Sequence, residues 1–158
     1  IAGPQEEDPT YVQECYNLIE SLNLTNHVSF LGFQKIDDLF PQVGLLALTS
    51  ISEALPLVIL EAAAAGVPCV VTDVGSCREL IQGSTQEDKQ IGESGRIVPI
   101  ADPESFASCV IELFSNPLQW QQAQQVGIER VEKFYTQTLM FDRYKEMYEE
   151  VLHGRNRV

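Results

Sequence analysis

Glu53 and Glu61, with seven residues between them, are the two carboxylates of an otherwise apolar stretch from Gly44 to Gly66. An unpaired carboxylate taken out of water costs several kcal/mol, so a glutamate set among Leu, Val and Ala tends to reach a polar partner, a cleft or a ligand. The pair therefore marks the expected working site. The chemistry open to it is acceptance of hydrogen bonds from hydroxyl groups, or charge stabilisation beside a reacting centre.

The elements around the pair follow from local signals. Asp8-Pro9 reads as an N-cap and first-turn proline, and Val12, Tyr16, Ile19 and Leu22 follow at helical spacing to about Leu22. Ile1-Ala2-Gly3-Pro4 reads as the end of a strand entering a turn, Val28 to Gly32 as a short strand, and Ile36 to Pro41 as a helical or turn segment. Val43 to Leu48 is expected as a buried strand. Pro56 can open a helix whose apolar residues Leu57, Leu60 and Ala64 share one face, and Gly66-Val67-Pro68 stops it. Cys69 to Thr72 is the next buried strand. Ser76-Cys77-Arg78-Glu79 fits a capping box before a helix through Leu80 and Ile81, and a polar loop from Gly83 to Gly95 leads to a strand at Arg96 to Pro99. Asp102-Pro103 and Asn116-Pro117 open helices over 103–115 and 117–134, and Thr136 caps a last helix to about Leu152. The tail, 153–158, is expected to fray.

Strands apolar along their whole length and alternating with helices predict a parallel, doubly wound, Rossmann-like α/β sheet covered on both faces. Such sheets bind ligands where strand leads into helix at their carboxyl ends. The glutamates sit at that kind of junction: Leu48-Thr49-Ser50 ends a strand, Glu53 lies in the loop and Glu61 in the helix. The backbone N–H groups of Leu57 and Val58, in the first turn, have no partner within the helix, and an anion such as phosphate suits them. Glu61, one turn on, could accept from vicinal hydroxyls such as those of a ribose.

Composition limits the partners. The 158 residues, 44% hydrophobic, suffice for one domain, expected over 1–152, and a net charge of −13 argues against nucleic acid and anionic membrane surfaces. Cys15, Cys69, Cys77 and Cys109 lack metal or disulfide spacing, which points to a reducing cytoplasm. His27 and His153 are isolated, and Trp120, Phe134, Tyr135, Phe141 and Tyr144 read as helix packing.

Thr49-Ser50, Glu53, Leu57-Val58-Ile59-Leu60-Glu61-Ala62 and Ala65-Gly66-Val67-Pro68-Cys69-Val70 together resemble the nucleotide-sugar site of family 4 retaining glycosyltransferases. Leu48 to Leu57, with Asp73-Val74-Gly75-Ser76-Cys77-Arg78-Glu79-Leu80-Ile81 downstream, most closely resembles the branch serving Pel-type exopolysaccharide synthesis. The likeness covers nearly the whole chain. It implies the carboxyl-terminal, donor-binding half of a two-domain GT-B enzyme, lacking its first strand and the acceptor-binding half.

Carried over to these positions, the resemblance implies that Glu53 is the catalytic-site carboxylate meeting donor-sugar hydroxyls. Glu61 would hold the ribose, the Leu57 and Val58 amides the diphosphate, and Thr49 and Ser50 the floor, with Arg96-Ile97-Val98 near the base. Pro56 replaces the glycine or aromatic residue of many relatives, though the exopolysaccharide branch shares it. The implied reaction is sugar transfer from a nucleotide diphosphate donor, a UDP-sugar by resemblance, with retention and with neither metal nor cofactor. Implied partners are the acceptor domain of the same protein and a membrane-associated polysaccharide synthase complex. No Lys or Arg occurs between Lys35 and Arg78, so the diphosphate would meet amides without a cation. In the family an Arg and a Lys do that work from a segment expected before Ile1, so the fragment alone is expected to be inactive. Its open sheet edges would favour self-association. Two other readings stay open: an epimerase or phosphorylase on a similar sheet, and a non-catalytic nucleotide-sugar binding or scaffold module.

Overall fold

The computed structural model describes residues 1–154, which fall into two compact units, Ile1–Gln42 and Val43–Val158. In the first unit, helix α1 (Pro9–Ser21) opens as expected, with the Asp8 carboxylate accepting from the Tyr11 amide at 3.0 Å. The two segments expected as strands shrink to one parallel bridge between Ala2 and Gly32. Two hydrogen bonds hold it, Gly3 N to Gly32 O at 2.9 Å and Leu31 N to Ile1 O at 2.8 Å. Phe30 stacks obliquely on Tyr16 of α1, with ring centroids 4.4 Å apart. Helix α2 (Ile36–Leu39) and a 3-10 turn, Phe40–Gln42, complete the unit.

The second unit carries the parallel sheet. Strands β1 (Leu46–Leu48), β2 (Cys69–Thr72) and β3 (Gly95–Val98) lie in the order β1-β2-β3, with Leu48 opposite Val71 and Thr72 opposite Val98. All four residues of β2 are buried, as a central strand covered on both faces requires. β1 is shorter and more exposed than the buried strand expected over 43–48, because it pairs with a neighbour on one side only and Ala47 faces solvent. Val70 and Val98 project to one face and form a core with Leu113 of α6 (Pro103–Ser115) and Ala123 of α7 (Pro117–Phe134). The Asp102 and Asn116 side chains cap these helices at the amides of Ser105 and Gln119, at 3.0 and 3.2 Å. Helix α3 (Leu57–Ala64) and helix α4 (Cys77–Gln82) also pack on β2.

Three expectations need correction. Helix α3 buries Ile59, Ala62 and Ala63, not the face of Leu57 and Ala64: Leu57 is 58% exposed. Small residues win because α7 approaches closely, so that a methyl on Gly127 would stand 3.3 Å from the Ala63 Cβ. The capping box at Ser76 is not made: that hydroxyl leaves its own helix and donates to Ala54 O at 2.8 Å. The polar loop 83–95 contains a helix, α5 (Gln86–Ile91), capped by Thr85. The last helix, α8 (Gln137–Gly154), continues through His153, and the remainder of the tail expected to fray, 155–158, lies outside the described residues.

Candidate functional site

The site is built on two loops at the carboxyl ends of neighbouring strands. The first runs from Thr49 to Pro56 between β1 and α3, the second from Asp73 to Ser76 between β2 and α4. Within the first, the Ser50 hydroxyl donates to Glu53 Oε1 at 2.6 Å, a charge-assisted bond that gives the carboxylate one fixed direction. The second loop grips the first by its backbone. The Thr72 hydroxyl donates to Ser50 O, with Leu48 O at 3.4 Å, and Ser76 donates to Ala54 O through its amide at 3.1 Å and its hydroxyl at 2.8 Å. Gly75 closes the contact. Its φ is +52°, and a Cβ there would lie 2.2 Å from Glu53 O, so only glycine fits both the backbone angle and the space.

Pro56 ends the first loop in extended conformation, and α3 starts without a side-chain cap. The Leu57 and Val58 amides stand in its first turn, where the helix offers no acceptor and the dipole is positive. Glu61 is half-buried one turn further along, as is Glu53 in the loop. Neither takes part in the ion pairs of the described residues, so both keep acceptor capacity for a ligand. The cation nearest in sequence is engaged: Arg78 forms an ion pair with Asp73 and donates to Gln82 Oε1 at 3.1 Å. Beneath the loops, burial pushes the Cys77 thiol above its ordinary value, and the Glu53 charge pushes in the same direction; burial lifts Cys69 to about 12. Both cysteines are inert packing at neutral pH.

Of the residues expected at the site, Ser50 and Glu53 are joined directly, Thr49 is exposed beside them, and Leu57, Val58 and Glu61 follow on α3. Arg96 lies elsewhere. It sits at the amino end of β3, donating to Gln119 Oε1 at 2.7 Å and to Gly95 O at 3.2 Å, at the opposite end of the sheet from Glu53. Two clefts of about 260 and 320 Å³, lined by residues such as Phe114 and Trp120 in one and Arg96 and Gln119 in the other, also lie away from the loop pair. The sequence pointed to Ser76 as a helix cap, not as a support of this loop, and gave no site role to Thr72 or Gly75. Thr72, the lone polar residue of a buried strand, was itself the available signal.

An all-parallel sheet in the order β1-β2-β3, flanked by helices, defines a Rossmann-like α/β domain. The chain belongs to the glycosyl transferases group 1 family, whose model matches residues 1–116. It is 29% identical over 136 residues to N-acetyl-alpha-D-glucosaminyl L-malate synthase of Bacillus anthracis, covering 85% of this chain and 34% of that protein. An exopolysaccharide phosphotransferase of Streptomyces coelicolor is 30% identical over 156 residues, covering 98% of this chain and 15% of that protein. This chain thus spans about a third or less of the length of these relatives. Among solved structures, a glycosyltransferase from Rickettsia africae superposes with a TM-score of 0.84 at 23% identity, over 96% of this chain and 39% of that one. HepE from Anabaena, solved with UDP-glucose, gives 0.78 at 23% identity, over 94% of this chain and 40% of that one. These likenesses establish the fold of GT-B glycosyltransferase carboxyl-terminal domains.

Proposed function

We propose that this chain is the donor-binding domain of a retaining glycosyltransferase that takes a sugar from a UDP-sugar and passes it to a glycan acceptor in exopolysaccharide synthesis. The observation that carries the reading is the Glu53–Ser50 pair held at the strand ends beside the uncapped start of α3, with Glu61 one turn beyond. The Leu57 and Val58 amides receive the diphosphate, Glu61 accepts from the ribose hydroxyls, and Glu53 accepts from the sugar. Thr49 and Ser50 form the floor. Because Ser50 occupies Oε1 from one side, the other lone pairs of Glu53 point to an incoming hydroxyl, and the sugar is oriented before reaction. UDP and UDP-glucose are what HepE was solved with, and an exopolysaccharide enzyme is among the relatives; both support the substrate class named here. The Pel-type branch remains our assignment by the local motif.

Amides alone leave the leaving diphosphate without a cation, and Arg78 is engaged with Asp73. The catalytic cations and the acceptor site are therefore assigned to other parts of the full-length protein, working in the cytoplasm beside a polysaccharide synthase. No helix of the described residues is long and apolar enough to cross a membrane. Calorimetric titration of the full-length protein with a panel of nucleotide sugars tests the proposal. A UDP-sugar is expected to bind and Glu61→Gln to weaken UDP at least about tenfold, the scale of a lost charged hydrogen bond. Absence of binding by any nucleotide sugar would sink the reading and leave a scaffold module in its place.

A further inference from the structure

We infer that Thr72 is the positioning residue that sets Glu53, acting through Ser50, and so tunes recognition of the donor's sugar separately from its nucleotide; this rests on the donor-site reading above. Strand β2 is Cys69-Val70-Val71-Thr72, buried throughout, and Thr72 is 4% exposed at its carboxyl end. A buried hydroxyl needs a partner, and this one finds it across the sheet, in the backbone of the neighbouring loop. Its single proton goes to Ser50 O, with Leu48 O at 3.4 Å as the longer alternative. The Ser50 hydroxyl in turn donates to Glu53 Oε1 at 2.6 Å. Two hydroxyls in series thus run from the rigid centre of the sheet to a half-buried carboxylate.

The relay has a direction. Thr72 holds the backbone of Ser50, and Ser50 selects the rotamer of Glu53. Ser76 donates to Ala54 O on the far side of the same loop and Gly75 packs closely against the Glu53 carbonyl. The main chain around Glu53 is thus fixed on both sides, while its side chain has one hydrogen bond among the described residues, from Ser50. Glu61 belongs to α3, whose first turn begins after Pro56, and no link of the relay touches it. Loosening Thr72 should therefore release Glu53 and leave Glu61 in place. A threonine that merely satisfied its own hydroxyl would affect stability and nothing at Glu53.

Two readouts on Thr72→Val and Thr72→Ser decide the matter. In the 158-residue chain, NMR scalar couplings across the Glu53 Cα–Cβ bond are expected to report one rotamer in wild type and in Thr72→Ser, and averaged rotamers in Thr72→Val. Ser50→Ala, at a half-exposed position, removes the second link without disturbing the core and is expected to average Glu53 in the same way. It keeps the test alive if Thr72→Val fails to fold. In the full-length protein, the ratio of UDP-glucose to UDP affinity is expected to fall about fivefold in Thr72→Val, the worth of one ordinary hydrogen bond, and to recover in Thr72→Ser. A fixed Glu53 rotamer in folded Thr72→Val would overturn the relay, and so would one in Ser50→Ala. Failure of wild type to bind either ligand would overturn the donor-site reading instead, and the couplings would still judge the relay.

Discussion

Asp88 and Glu53 are carboxylates of the same compact unit in opposite circumstances. Asp88 is completely buried, and its partner Arg130 is 1% exposed. Arg130 donates to Asp88 Oδ1 at 2.6 Å, Ile81 O at 2.7 Å and Gly92 O at 2.6 Å, while the Ser84 amide reaches the other Asp88 oxygen at 2.9 Å. Each Asp88 oxygen has a protein donor, and the cluster ties α7 to α5 and to the residues leading into β3. Glu53 is half-buried, holds one hydroxyl partner, and pairs with no cation among the described residues. A charge with its valences closed is structure, and one with valences open beside unpaired amides is the one we propose as a site. Burial alone does not tell them apart.

Arg130→Met breaks the closed end of this comparison hardest. It leaves Asp88 charged and enclosed, and unfolding free energy from urea titration is expected to drop by about 3–5 kcal/mol. The double variant Arg130→Met with Asp88→Leu is expected to recover part of that, because the stranded charge is gone. Gly75→Ala comes next and acts at the open end. The new methyl would meet Glu53 O at 2.2 Å on a backbone at φ +52°, so the two loops must separate. Stability is expected to fall by about 1–3 kcal/mol, and donor affinity measured by calorimetry should fall with it.

How legible these two regions were from sequence follows from the same contrast. Glu53 and Glu61 stood out because their neighbours in the chain are apolar. Asp88 did not, because Thr85-Gln86-Glu87-Asp88-Lys89-Gln90 is polar throughout and its partner lies 42 residues away. Helix α5 was hidden for that reason as well: without an apolar stripe, its Thr85 cap and tertiary pairing place it, and periodicity does not. Helices α1, α6 and α7 were readable to within a residue or so, since an Asp or Asn before Pro is a local device whose hydrogen bond closes within three residues. Ser76 shows the limit of such devices. Its motif suits a capping box, yet a carbonyl 22 residues earlier in the chain claims the hydroxyl. Helix α3 is apolar nearly all round, so its pattern could not say which side would face α7.

Glu61→Gln sharpens the open end without touching the fold. No protein cation pairs with Glu61 among the described residues, so stability is expected to change by less than about 0.5 kcal/mol, while UDP affinity of the full-length protein falls at least about tenfold. Loss of both together would mean that Glu61 is a structural charge of the Asp88 kind.

Asp102 offers the smallest effect and a third circumstance, a carboxylate at the surface whose work is local. Its bonds from Ser105, side chain and amide, hold it below its ordinary value of 3.8. A carboxyl whose folded value is lowered stabilises the fold when ionised, so the contribution is present above 3.8 and fades as pH falls through the lower folded value. Asp102→Asn keeps the acceptor oxygen and removes the charge. Thermal melts of the two proteins should therefore differ slightly near neutrality and converge in acid. A gap that persists unchanged at the lowest pH would assign the cap to geometry alone, leaving charge decisive only where Asp88 is enclosed and where Glu53 and Glu61 stand open.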